Sequence, residues 1–148
     1  MGTRRKSREL ALQALYQGDL AGQNDLLDFE DFCVHFQVNK KSIPYAKKLV
    51  DGIQEKGEVL NQLISKYAEN WRLERMSLID RNILRLAVYE VHYQDDVPVS
   101  VAINEAVEIA KRYSTDDSGP FINGILDAMA KDEASGAESN TKSIESKL

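Results

Sequence analysis

The stretch SLIDRNILRLAVYEV, Ser77 to Val91, decides how the rest of the chain is read. Ile79, Ile83 and Leu86 recur at helical spacing and mark one face, while Leu84, Ala87, Val88 and Val91 widen it until little of the circumference is left for water. A helix lying on a protein surface carries a narrower stripe, so this one is expected to be central and contacted from several sides. Ser77 followed by Asp80 has capping-box spacing, with Asp a shorter reach than Glu, which places the helix start there.

Beyond this segment, the break DDVP leads into VSVAINEAVEIAKRY, where Ala102, Ala106, Ile109, Ala110 and Tyr113 form another helical stripe and the small alanines permit close packing. STDDSGP then collects capping residues and sets Pro120 in the first turn of a last helix carrying Phe121, Ile122, Ile125, Leu126 and Met129. Gly124 inside that helix costs about 1 kcal/mol relative to Ala, which predicts the close approach of another backbone. After Lys131 the sequence is polar, small and aperiodic, and 132–148 reads as a flexible polar tail.

On the N-terminal side, Ala46, Leu49, Val50 and Ile53 face inward on a helix starting around Ser42 to Pro44. Gly57 interrupts the pattern before Val59, Leu60, Leu63, Ile64 and Tyr67 resume it, as two helices or as one with a soft point. Leu26, Phe29, Cys33 and Phe36 make a stripe with Asn24 as N-cap. Around it Asp19, Asp25, Asp28, Glu30 and Asp31 would repel phosphate. The first helix carries Ala11, Ala14 and Leu15, with Leu12 and Tyr16 one position around, and is expected to end near Gly18.

The fold class is therefore all-α: two small helical bundles packed as one compact unit of about seven helices, divided as 1–70, 71–131 and the tail. The 148 residues leave little room for a larger catalytic architecture. The single cysteine, Cys33, forms no internal disulfide framework or cysteine metal cage, and fits a cytosolic setting. With no signal-type apolar stretch after the basic start and no long uncharged apolar run, a soluble, cytoplasmic protein without membrane contact is expected. No cofactor, metal site or catalytic residue is expected, because no Gly-rich phosphate loop, nucleophile turn or carboxylate array is present. Glu105 and Glu108 are a helical carboxylate pair without accompanying ligands, and Cys33 and His35 do not share a helix face.

Net charge is −5, yet Arg4, Arg5, Lys6 and Arg8 all precede the first acidic residue, Glu9. A local positive field captures phosphate whatever the total, and guanidinium groups can clamp phosphate oxygens in a bidentate way. The ordinary explanation is a solubilising arm, and composition alone does not separate the two.

Four segments in order, RELALQALY, IDRNILRLAVYE, the VP turn with AINEAVEIAK, and DS followed by FINGILD, closely resemble the NusB family of transcription antitermination factors, over most of residues 4–130. The resemblance implies an all-helical RNA-binding protein that takes the BoxA element of ribosomal RNA transcripts as single-stranded RNA. It further implies pairing with the small-subunit ribosomal protein NusE and action in the transcription elongation complex. It places RNA contact at Arg4, Arg5, Lys6, Arg8, Tyr16, Arg81, Asp117, Ser118 and Phe121, and a protein-partner boundary at Tyr16 and Asp80. Pro120 departs from the basic residue that relatives often carry before the Phe.

Each of these has an ordinary reading as well. Phe121 and Tyr16 either stack on bases or pack at the core. Asp80 and Asp117 either orient a ligand or cap helices, and Arg81 meets phosphate or is merely solvated. Homodimerisation stays open. Alternative readings are an accessory domain for RNA modification and a purely protein-binding helical scaffold.

Overall fold

The Ser77 hydroxyl accepts the Asp80 backbone N–H at 3.0 Å and starts a helix where the spacing predicts one. The computed structural model describes residues 2–20, 29–35, 39–69 and 71–135. Among them lie seven α-helices: α1 (Gly2–Leu20), α2 (Phe29–His35), α3 (Ile43–Glu55), α4 (Gly57–Tyr67), α5 (Leu78–Tyr93), α6 (Val99–Tyr113) and α7 (Ser118–Ser135). Short 3₁₀ turns, Lys40–Ser42 and Leu73–Arg75, precede α3 and α5. None of the described helices is long and apolar enough to cross a membrane.

The helix with the widest apolar face is the hub. α5 packs against α1, α3, α4, α6 and α7, and Ile83, Leu84, Leu86, Ala87 and Val88 are all buried. On α6 the small Ala102, Ala106 and Ala110 are buried, and α6 packs extensively on α7. On α3 the predicted inward set Ala46, Leu49, Val50 and Ile53 is buried throughout. The soft point near Gly57 is a real boundary: α3 ends at Glu55, Lys56 turns, and Gly57 opens α4. Phe29 and Cys33 are buried on α2, whereas Asn24, Leu26 and Phe36 of the same expected stripe lie outside the described residues.

Two chain ends run further than periodicity indicates. α1 continues past Gly18 to Leu20 and begins at Gly2, so every one of the early cations is helical. α7 continues past Lys131 to Ser135, and its polar last turns find partners across the bundle. The Tyr67 hydroxyl donates to Asp132 at 2.6 Å, and His92 Nε2 lies 2.8 Å from Glu133 Oε2. The tail from 136 onward lies outside the described residues.

The expectation for Gly124 is overturned. It is exposed, and a Cβ placed there meets nothing within 4 Å, so no backbone approaches it. The close approach occurs instead at Gly52 of α3, where a Cβ would sit 2.1 Å from the Tyr89 hydroxyl oxygen of α5. These sites should respond in opposite directions. Gly124→Ala should stabilise by up to about 1 kcal/mol through helix propensity, and Gly52→Ala should destabilise by about 1–3 kcal/mol through overpacking. Urea unfolding of the two variants measures both.

Candidate nucleic-acid interface

Arg4, Arg5 and Arg8 stand three and four residues apart on α1, so their side chains share the face turned toward α5 and α6. Arg8 is only 4% exposed, and its Nε lies 2.9 Å from each carboxylate oxygen of Glu90, which is fully buried on α5. Its Nη1 donates to Glu105 of α6 at 3.3 Å, and the Tyr45 hydroxyl also donates to Glu90. Burial first, and then this hydrogen bond to Glu90, push the Tyr45 phenol well above its ordinary range. A buried carboxylate needs partners of this kind, since desolvating an unpaired charge is costly.

Arg5 is held side-on by Glu105, through Nε at 3.0 Å and Nη2 at 2.6 Å. That hydrogen bond, ahead of the opposing effect of burial, lowers the Glu105 carboxyl below the usual glutamate range. Arg4 donates to Asp96 at 3.0 Å, and its guanidinium carbon lies 3.8 Å from the Tyr45 ring centroid. The Arg4 and Arg5 side chains remain 44% exposed and Lys6 is exposed, so these three present N–H groups to solvent.

The sequence reading of the head therefore needs correcting at Arg8. Its guanidinium is enclosed by Glu90, Glu105 and Tyr45 and is not presented to solvent as a phosphate clamp. Three carboxylates, Asp96, Glu105 and Glu90, stand against the four cations, so the local positive field is much weaker than the run of basic letters implies. A cleft of about 320 Å³ opens between this cluster and the start of α6, lined by Arg4, Arg5, Asp96, Val97, Pro98, Val101 and Glu105, together with the nearly buried Arg8.

A second cleft, of about 280 Å³, lies past the other end of α6 and shares no lining residue with the first. Its scaffold is the Asp80 carboxylate, which accepts the Ser114 hydroxyl at 2.7 Å and the Ser118 hydroxyl at 2.9 Å. Asp80 thereby ties the first turn of α5 to the end of α6 and the start of α7 rather than reaching back to complete a capping box. Ser118 is buried, Asp117 is exposed, and Phe121 is half-buried at the rim. The two clefts are thus separated along α6, whose fifteen residues span roughly 20 Å. Arg112 bridges the interval by donating to Glu9 of α1 at 2.9 Å. The cations and the start of α7 do not converge on one pocket; they form the ends of a strip.

Tyr16 is half-buried on the later part of α1. Three residues on, Asp19 accepts from Asn82 at 2.8 Å and pairs with Arg85 at 3.3 Å, which sets this part of α1 against the first turns of α5. Burial lowers the Arg85 pKa, Asp19 opposes that, and the neighbouring Arg81 charge adds to the lowering. Arg81 is half-buried with its Nε lacking a hydrogen-bond partner, so it is not the freely solvated side chain that its helix position allowed. Glu105 and Glu108 are both engaged in ion pairs, the latter with Lys111 at 3.3 Å. Sequence reasoning passed over Trp71, which is 55% exposed and meets Phe121 edge-to-face with ring centroids 5.7 Å apart. Its position in a polar interhelical segment was the available signal.

Residues 5–131 match the family described as the NusB family, a span that takes in α2 to α6 whole and all but the outer ends of α1 and α7. The chain belongs to the NusB family. It is similar to the transcription antitermination protein NusB of Desulfosudis oleivorans, 49% identical over 143 residues that cover 95% of this chain and 92% of the relative. A solved Thermotoga maritima NusB superposes with a TM-score of 0.77 at 42% identity, covering 88% of this chain and 92% of that one. A crystal structure of the antitermination factors NusB and NusE in complex with dsRNA also matches, with a TM-score of 0.77 at 29% identity, covering 90% and 99%. Pro120 is exposed in the first turn of α7 and supplies neither a cation nor a backbone N–H.

The two arginines should separate by role. Arg8→Ala leaves Glu90 buried with a lost partner and should cost about 3–5 kcal/mol, whereas Arg4→Ala, at an exposed pair, should cost at most about 1 kcal/mol. Chemical denaturation of each variant tests this. Glu105 gives a pH signature: a carboxyl held low in the folded state contributes stability that is complete above its unfolded pKa and lost as pH falls through the folded value. The difference in Tm between the native chain and Glu105→Gln should therefore stay constant from neutral pH to about 5 and close as pH drops below roughly 4.

Proposed function

We propose that this chain is an RNA-binding transcription antitermination factor that takes up BoxA RNA together with NusE and supports ribosomal RNA transcription. The observation that carries the reading is membership of the NusB family across residues 5–131. A relative of the same fold, seen with NusE and dsRNA, supports NusE and RNA as the classes of partner. The work is that of a non-catalytic regulator, an adaptor that keeps RNA beside the elongation complex in the cytoplasm.

In this reading Arg4, Arg5 and Lys6 meet phosphate with their exposed N–H groups, and Arg8 acts indirectly by fixing α1 on α5. Phe121, Asp117 and Ser118 contact RNA at the far end of the strip, with Arg81 and Tyr16 between α1 and α5. Tyr16 and Asp80 face the protein partner. Binding NusE and RNA on adjoining surfaces lets each raise the affinity of the other without either making a large interface.

The neutralising carboxylates at the head favour one competing reading, a scaffold that binds protein alone. Salt dependence separates them. With Arg8 withdrawn, about three phosphate contacts to single-stranded RNA predict a logarithmic slope near −2. Converting Arg4, Arg5 and Lys6 to Ala should weaken BoxA RNA binding and flatten that slope while the helical circular dichroism is kept. A slope near zero in the native chain, with NusE binding intact, would support the scaffold. Size measured across concentration, with and without RNA, addresses a homodimer that covers part of the strip.

A further inference from the structure

Trp71 lies between α4 and α5, its backbone N–H donating to the Ala68 carbonyl at 3.0 Å, and more than half of its side chain is exposed. It is the only tryptophan in the chain. Leaving so large an apolar ring in water forgoes the burial it would gain in the core, and here the exposed indole pairs with Phe121 along the wall of a cleft. The edge-to-face contact with Phe121, at an interplanar angle of 74°, covers at most one of the indole's two faces.

We infer that Trp71 and Phe121 together form the aromatic wall of a pocket that accepts one unpaired nucleobase of single-stranded RNA, a deepening that rests on the RNA-binding reading above. The cleft of about 280 Å³ beside them suits a single planar heterocycle with part of its sugar. Its rim carries the Thr115 hydroxyl and the exposed Asp117 carboxylate, acceptors suited to the exocyclic amine of cytosine or adenine. Asp80 and Asp117 repel phosphate, so the RNA backbone passes on the side of Arg75, which lines the same cleft and is exposed. Arg72 is exposed as well and lines a neighbouring cleft that Trp71 also borders, with Glu69 and Glu74 beside it, so the cationic contact on this side is confined to the two arginines.

A flat protein contact would bury the indole in an apolar patch. Here the surroundings are two arginines, hydroxyls and four carboxylates, Asp80, Asp117, Glu69 and Glu74, a polar setting in which an aromatic face can stack a base while acceptors read its edge. Stacking also tolerates the edge contact with Phe121, because the base needs only the free indole face.

The single indole makes the test direct. Full-length chain is titrated with an unstructured BoxA-bearing RNA of about twelve nucleotides, with an abasic strand of equal length and charge, and with NusE, while tryptophan emission and RNA anisotropy are followed. The base-bearing RNA should quench emission and the abasic strand should not. Trp71→Ala should weaken the base-bearing RNA on the order of 10-fold with an unchanged salt slope, and Trp71→Phe should restore most of the loss. RNA bound with emission unmoved and Trp71→Ala at native affinity overturns the pocket while leaving RNA binding in place. Absence of any RNA binding by the native chain overturns both. An emission change with NusE but not with RNA overturns the pocket and assigns the indole to a protein contact.

Discussion

A guanidinium buried against a carboxylate fixes the first helix on the central one. Arg8 and Glu90 are each almost wholly removed from water, and their separation in sequence is 82 residues. Neither can be relieved by local rearrangement, because freeing one strands the other in a medium where an unpaired charge is intolerable. Tyr45 of α3 closes the same carboxylate, and Ser7 reaches the Ser42 carbonyl at 2.8 Å, so α1, α3 and α5 are clamped at one point. The axial position of α1 is set there, and with it the places at which Arg4, Arg5 and Lys6 emerge into solvent.

The opposite end of α5 is tied with a different chemistry. Asp80, in its first turn, gathers hydroxyls from the end of α6 and the start of α7, and so orients the turn that carries Asp117 and Phe121. Asp80 and Glu90 are ten residues apart on one continuous helix, roughly 15 Å along its axis. The cationic end and the aromatic end of the strip are therefore held at a spacing fixed by a buried helix rather than by loops. That arrangement suits recognition of an extended strand, in which phosphate and base contacts must fall in a set register.

Helices were legible in the sequence because their signal is local. The wide stripe of α5, the Ser77 cap, the inward set on α3 and the alanine face of α6 each follow from spacing within a few turns. Tertiary space has no such signal. Gly124 and Gly52 look alike as letters inside helices, yet one faces open solvent and the other accommodates Tyr89. Arg8 looked like its neighbours because the carboxylates that enclose it arrive from α5 and α6, far along the chain. Trp71 was hidden by sitting in a segment with no periodicity to exploit. The order of the family-like segments carried the identity, and charge and periodicity alone reach only a helical bundle with a basic start.

The disposition of charge constrains how such a protein can discriminate among RNAs. A chain with net charge −5, whose basic head is largely answered by carboxylates, cannot act as a general sink for polyanions. Coulombic capture, which any sequence satisfies, is held down to the outer edges of a few oriented side chains. In the proposed reading, what remains to decide binding is whether bases reach the aromatic end in step with phosphates at the cationic end. Weak general attraction combined with a fixed spacing favours the strand that satisfies both, and in that reading a partner protein bound alongside would add affinity without eroding the choice.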